Sequence, residues 1–210
     1  MVDKSQVNKE LFIGGCSRLD IQIDADKLAK EVGSLDAMVW SGTGGRVGPH
    51  MKVDAVFLRG FAAVEGPKPL KDREILKQLP YVREIIYEAL LSQPQRCVIA
   101  SLQPDSIVTA HQDQGPYLSQ HYRFHIPVFT NPHVKMVVNH LVYQMMPGEV
   151  WAINNNAPHG VVNDDPDEAR AHIIVDYKPT TEIVALLEKA DQSLGKRDME
   201  TVNRLIDVSR

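Results

Sequence analysis

Between Arg96 and Tyr177 the chain breaks into about eight short apolar runs separated by turn signals, and no other feature restricts its fold so strongly. The runs cover 97–102, 107–111, 121–128, 134–138, 141–145, 149–153, 159–162 and 171–177. Gln103-Pro104-Asp105, Gly115-Pro116, Asn131-Pro132, Pro147-Gly148 and Asp165-Pro166 punctuate them. Short strands at this spacing predict a sandwich or a barrel.

The flanks read differently. Residues 11–23 read as extended, with a turn at Gly14-Gly15 and Leu19, Ile21 and Ile23 alternating with polar positions. Asp24 is placed to cap a helix running to Val32 and closed by Gly33. The Gly-rich stretch 40–49 lacks the Gly-Lys-Ser/Thr of a phosphate loop, so a mobile loop is expected there, and the sequence does not fix whether 42–48 is a lid. A strand is expected at 53–58 and a turn at Pro67 and Pro69. Residues 71–91 carry a helical stripe interrupted at Pro80. After Pro179, helices over 180–193 and 197–207 are expected outside the barrel or at a homodimer contact. The expectation is one domain, with a core at about 96–178, an α/β part at 1–95 and the C-terminal helices packed on it.

Charge and cysteine usage narrow the classes. A net charge of −4 gives no reason to expect nucleic acid or an anionic membrane as partner. Cys16 and Cys97 show no CxxC spacing, which disfavours a disulfide framework or a thiolate zinc site. The N-terminal ten residues lack an apolar signal region and no stretch is apolar enough to span a bilayer, so a cytoplasmic location is expected.

Within the strand-rich region lies an ordered set of chemical groups: His111 and Asp113, then His159, then Arg170. A spacing of two is the period of a strand, so His111 and Asp113 leave the backbone on one face. His159 follows Asp113 by 46 residues (159 − 113), enough chain for intervening strands to return beside the first. Two imidazoles and one carboxylate form the facial triad that holds Fe(II) and leaves coordination positions open. A catalytic zinc more often shows three His, or two His with a Glu. Arg170, 11 positions past His159, is placed to pair bidentately with an acid at the closed end of the barrel (170 − 159). An acidic co-substrate that chelates iron at one end and meets Arg170 at the other would fit 2-oxoglutarate.

From Ser101 to Tyr177 the chain resembles the aspartyl/asparaginyl β-hydroxylase family of Fe(II)/2-oxoglutarate dioxygenases, with its small bacterial amino-acid hydroxylase relatives. The segments that carry the resemblance are Thr109-Ala-His-Gln-Asp113, Tyr122-Arg-Phe-His-Ile-Pro-Val128 with Thr130-Asn-Pro132, Met146-Pro-Gly-Glu-Val-Trp151, Ala157-Pro-His-Gly160 and Arg170-Ala-His-Ile-Ile-Val-Asp176. The resemblance implies a mainly β fold with flanking helices, a double-stranded β-helix of the jelly-roll, cupin-like kind. It implies His111, Asp113 and His159 as catalytic iron ligands and Arg170 as partner of the distal 2-oxoglutarate carboxylate. It adds His125, Arg123 and, across a one-residue gap, Ser101 as co-substrate contacts. The animal peptidyl hydroxylases of this family carry glycine where Asp113 stands, which points this chain toward the small-molecule branch.

The expected activity is hydroxylation of an unactivated C–H bond of a small substrate, a free or N-acylated amino acid, with O2 as co-reactant. Arg123, Arg46 or Arg59 would hold the substrate carboxylate. The alternatives are a peptidyl aspartyl/asparaginyl hydroxylase, a non-catalytic metal-binding cupin-type protein, and a zinc or manganese isomerase on the same barrel. His121, His140 and His172 read as packing or surface residues, His50 and His133 border turns, and Trp151 reads as a core aromatic.

Overall fold

The computed structural model describes residues 6–40, 42, 48–61, 65–66 and 68–207. Arg46 and the rest of residues 43–47 of the Gly-rich loop lie outside the described residues. In chain order the elements are α1 (Lys9–Phe12), β1 (Cys16–Arg18), α2 (Ala25–Gly33), β2 (Val53–Arg59), α3 (Pro80–Glu84), β3 (Pro94–Leu102), β4 (Ser106–His111), α4 (Pro116–Ser119), β5 (Tyr122–Phe129), β6 (Val134–Val138), β7 (Leu141–Tyr143), β8 (Trp151–Ile153), β9 (His159–Asn163), β10 (Arg170–Tyr177), α5 (Thr181–Glu188) and α6 (Met199–Asp207).

All the strand pairings are antiparallel. A six-stranded sheet runs β1-β8-β5-β10-β3-β2, and a four-stranded sheet runs β4-β9-β6-β7. Apolar residues of both sheets meet in one cluster that includes Val53, Ala100 and Ile153 from the first and Val108, Met136 and Val161 from the second. The two sheets therefore face each other as a jelly-roll double-stranded β-helix, as expected.

Strand alternation decides what each face of the larger sheet carries. On β3 and β10 the odd-numbered residues Cys97, Ile99, Ile173 and Val175 join a helix-covered core with Leu28, Val82 and Ile183. The same core takes Phe124 and Ile126 of β5. Arg96, Val98, Ala100 and Leu102 of β3 and Arg170 and Ile174 of β10 consequently face the space between the sheets. The outer face of the smaller sheet is covered by α6, whose Val202 and Leu205 pack on Val137, Val142 and Val162. That apolar stripe of α6 is satisfied within the chain.

Local departures from the sequence reading have identifiable causes. Residues 9–12 are helical because the Asn8 side chain accepts from the Leu11 backbone N–H and caps the turn. Pro80 starts α3, with a 3₁₀ turn (Glu74–Gln78) before it and a π turn (Ile85–Ala89) after it. The expected stripe of Leu76, Leu79, Val82, Ile85, Ile86 and Leu90 is nonetheless buried throughout. The helix expected over 180–193 stops at Glu188. Among the described residues, no helix is long and apolar enough to cross a membrane.

Candidate metal centre and its cavity

His111 ends β4 and His159 begins β9, and the two are direct cross-strand partners. Their rings lie 4.3 Å apart between centroids. A register shift between Val108 and His111 turns the last residues of β4, so Val108 and His111, three apart in the chain, both line the cavity. Asp113 sits just past the strand, where its backbone N–H donates to the Asn155 carbonyl across 3.0 Å. One ligand atom from each of His111, Asp113 and His159 lies within 4.8 Å of the others.

The donor set suits a metal ion. His111 Nδ1 is 2.8 Å from the Thr109 carbonyl oxygen and His159 Nδ1 is 3.0 Å from that of Ala157. A carbonyl can only accept, so each Nδ1 carries the proton and each Nε2 keeps its lone pair for a metal. His111 Nε2 is buried and has no hydrogen-bond partner among the described residues. Burial, and then the neighbouring His111, push the His159 imidazole down to a pKa of about 4, which keeps it in the neutral, ligating form.

Asp113 is held from two sides. Arg123 donates from Nη1 to its Oδ2 across 2.5 Å, and Asn155 donates from Nδ2 to the same atom across 2.8 Å. Burial raises the Asp113 pKa, but Arg123, His159 and the Asn155 hydrogen bond outweigh it and bring the group down to about 2. It is thus a carboxylate at neutral pH, as a metal ligand must be. Arg123 also pairs through Nε and Nη2 with both oxygens of Asp176, at 2.8 and 3.1 Å. Asn155 is fixed in turn by Lys9, whose Nζ donates to Asn155 Oδ1 at 2.6 Å, to Asn156 Oδ1 at 3.1 Å and to the Leu118 carbonyl at 2.7 Å.

A cavity of about 190 Å³ lies between the sheets and reaches the triad. An engineered apolar cavity of roughly 150 Å³ takes up benzene, so this one admits a small organic molecule. Arg170 lines it, is 4% exposed and makes no ion pair among the described residues. Burial with no counter-charge lowers its pKa below the ordinary guanidinium value. Its Nη2 lies 2.6 Å from His172 Nδ1, which must accept, so His172 carries its proton on Nε2. His125 stands edge-on to His172, with ring centroids 5.7 Å apart. His125 Nδ1, Arg170 Nε and His172 Nε2 are all buried without a hydrogen-bond partner among the described residues. Burial, followed by the charge on Arg170, pushes both imidazoles well down in pKa. The cation and the neutral imidazoles make this end a place for an anion.

The residues singled out in the sequence thus separate. His111, Asp113, His159, Arg170, His125 and Arg123 line one cavity. Ser101 does not join them. It lies on the opposite face of β3, beside Trp40 and Phe129, because β3 alternates and presents Ala100 and Leu102 to the cavity. Arg59 is also elsewhere, paired with Asp72 at 2.6 Å. Arg123 reaches the cavity with its guanidinium already committed to two carboxylates. His172, Asp176, Asn155, Lys9 and Arg96 are additions that sequence reasoning missed. His172 and Asp176 had one signal, their even spacing from Arg170 on a strand. His50 is also brought to the site, its ring edge-on to His111 at 4.8 Å between centroids. Trp151 is buried, with Nε1 donating to Glu149 at 2.9 Å.

Comparisons with known proteins agree with this geometry. A 2OG-Fe(II) oxygenase family oxidoreductase from Burkholderia pseudomallei has a similar structure, with a TM-score of 0.56, 15% identity, and 87% of this chain and 90% of that chain covered. A prolyl hydroxylase from Trichoplax adhaerens, solved with a peptide fragment of the hypoxia inducible factor oxygen degradation domain, also has a TM-score of 0.56, at 11% identity, with 87% and 91% covered. At such identities these likenesses establish the fold. A comparison with curated protein sequences finds no match. The family model described as aspartyl/asparaginyl beta-hydroxylase matches residues 62–179, more than half of the chain and all three residues of the candidate metal centre, so the protein belongs to that family.

Proposed function

We propose that this hydroxylase acts on an unactivated C–H bond of a small substrate, an amino acid in free or N-acylated form. The observation that carries the reading is the placement, in one cavity between the sheets, of the His111-Asp113-His159 triad together with the buried Arg170, which has no acidic partner among the described residues. Bound iron and 2-oxoglutarate would supply oxidative decarboxylation to succinate and CO2, coupled to hydroxylation. His111, Asp113 and His159 would hold the metal, and the Nδ1–H bonds of the two histidines to backbone carbonyls would keep both Nε2 atoms free for it. Arg170 would meet the distal carboxylate of 2-oxoglutarate, and His172 would hold that guanidinium in place while adding an Nε2–H donor. His125 is the proposed further contact. Arg123 is assigned a different part: with Asn155 it fixes the orientation of Asp113 and keeps it ionised. The sheets exclude water from this end of the cavity, where the charge pairing with Arg170 is correspondingly stronger. Asp113 itself supports a small-molecule substrate over a peptidyl one.

The test is an anaerobic titration with Fe(II) and 2-oxoglutarate, followed by a visible charge-transfer band, and then succinate measured on admitting O2. The band and succinate release are expected. Failure of the wild-type protein to bind 2-oxoglutarate would sink the reading.

A further inference from the structure

The cavity holds two arginines that lack an acidic partner among the described residues, and their backbones stand far apart. Arg170 is the register partner of Leu102 at one end of β3, whereas Arg96 lies six residues earlier on the same face of that strand (102 − 96). At about 3.3 Å per residue that separation is roughly 20 Å along the strand. The two backbones thus stand farther apart than a five-carbon diacid is long, which favours a second ligand for Arg96. Among the described residues Arg96 makes no ion pair, and its guanidinium lies against the rings of Tyr117 and Phe61, at 5.2 and 5.5 Å from their centroids. Those faces hold the charge in place without neutralising it. The cavity lining includes the apolar Phe57, Val98, Leu118 and Ile174 beside the polar Arg123 and Asn155.

The complementary group is missing. Among the described residues lining the cavity, Asp113 is the one carboxylate, and it is engaged by Arg123 and Asn155 besides belonging to the triad. Asp176 is buried and satisfied by Arg123. Residues 43–47, which precede His50, and 62–64, which follow Phe61, include no Asp or Glu. With 2-oxoglutarate paired to Arg170, a substrate ammonium group would still meet the Arg96 cation, and no free carboxylate among the described lining residues to receive it. Desolvating a charge without a partner is strongly unfavourable.

We infer that the substrate is a monocarboxylate with an uncharged, apolar body, an N-acylated apolar amino acid rather than a zwitterionic free one, and that Arg96 binds its carboxylate. The inference rests on the hydroxylase reading above and chooses within it.

A panel tests it: alanine, valine, leucine and phenylalanine, each as the N-acetyl acid, the N-acetyl methyl ester and the free amino acid. Each is added to the anaerobic Fe(II)/2-oxoglutarate protein, and its affinity is read from the change in the charge-transfer band. Succinate release in O2 is then measured. If the band never forms, the hydroxylase reading fails before any substrate is added. With the band present, at least one N-acetyl acid should bind tenfold or more tightly than its ester and its free amino acid, and should accelerate succinate release. Arg96→Gln should erase the difference between acid and ester, and Arg96→Lys should restore part of it. Retention of the band in both variants reports an intact triad and Arg170 end. A free amino acid binding as well as its N-acetyl form, an acid–ester preference surviving Arg96→Gln, or no panel member binding would each overturn the inference.

Discussion

Arg123 bridges two carboxylates, donating from Nη1 to Asp113 and from Nε and Nη2 to Asp176, which is only 3% exposed. The ionised carboxylates outweigh the desolvation of Arg123 and raise its pKa above the ordinary guanidinium value. Removing one partner of a buried pair leaves the other charged and unsatisfied, at a cost of about 3–5 kcal/mol. Arg123→Gln should lose stability of that order in urea denaturation. Adding Asp176→Asn should return part of the loss, since it removes the stranded charge. A loss under about 1 kcal/mol in the single variant would show that the bridge is not a structural brace.

Asp113→Ala removes a proposed ligand and the acceptor of two hydrogen bonds. Metal retained after desalting, measured by elemental analysis, should drop to a small fraction of that of the wild type. Unchanged iron content would take Asp113 out of the ligand set.

At the other end of the cavity, Arg170→Ala should weaken 2-oxoglutarate binding by about 10–100-fold, the range set by roughly 1.5–3 kcal/mol for a hydrogen bond to a charged group. His172→Leu removes the acceptor that orients Arg170 and should cost less than the arginine change. Both are read from the titration midpoint of the charge-transfer band. Equal affinity of Arg170→Ala and wild type would remove Arg170 from the co-substrate site.

Gly160 follows His159 on β9, and a Cβ added there would lie 2.7 Å from the Val108 carbonyl oxygen on β4. The obstacle is backbone, so β4 and β9 would have to part beside the two histidines. Gly160→Ala should destabilise by about 1–3 kcal/mol, the usual cost of overpacking, and lower metal affinity as well. A melting temperature and metal content equal to wild type would mean that the strands yield freely.

Lys9 gives a pH signature. Burial, and then the charge of Arg123, bring its pKa down to about 8 from 10.5. Between those values the unfolded chain binds the proton and the folded one does not, so this group adds stability as pH rises through that window. The melting temperature of the wild type minus that of Lys9→Met should therefore increase from pH 8 to 10.5. A flat difference would show that the Lys9 ammonium is not penalised in the folded protein.

Much of the candidate site was legible because strand chemistry is local. A spacing of two between His111 and Asp113, turn dipeptides at short intervals and an Arg one strand beyond His159 need no tertiary information to be informative. The cap at Asp24 was readable for the same reason, and the Lys27 N–H does donate to its side chain at 2.9 Å. Helix ends were less legible: α1 depends on Asn8 capping a single turn, and α5 ends short of its apolar pattern.

The sequence by itself indicated a sandwich or barrel of short strands and put two histidines, a carboxylate and an arginine in one region, because those signals lie in periodicity and residue type. Only the tertiary structure decided which face of each strand turned inward. Alternation fixes that Ser101 and Ala100 point oppositely, but the helix-covered core on the far side makes Ala100 the inward one. The partners of each charge were likewise decided only in three dimensions. Arg123 meets Asp176 through the β5–β10 register, and Lys9 meets Asn155 across 146 residues of chain. A sequence records which charges exist; packing determines which are neutralised and which, like Arg96 and Arg170, face the cavity without an acidic partner among the described residues.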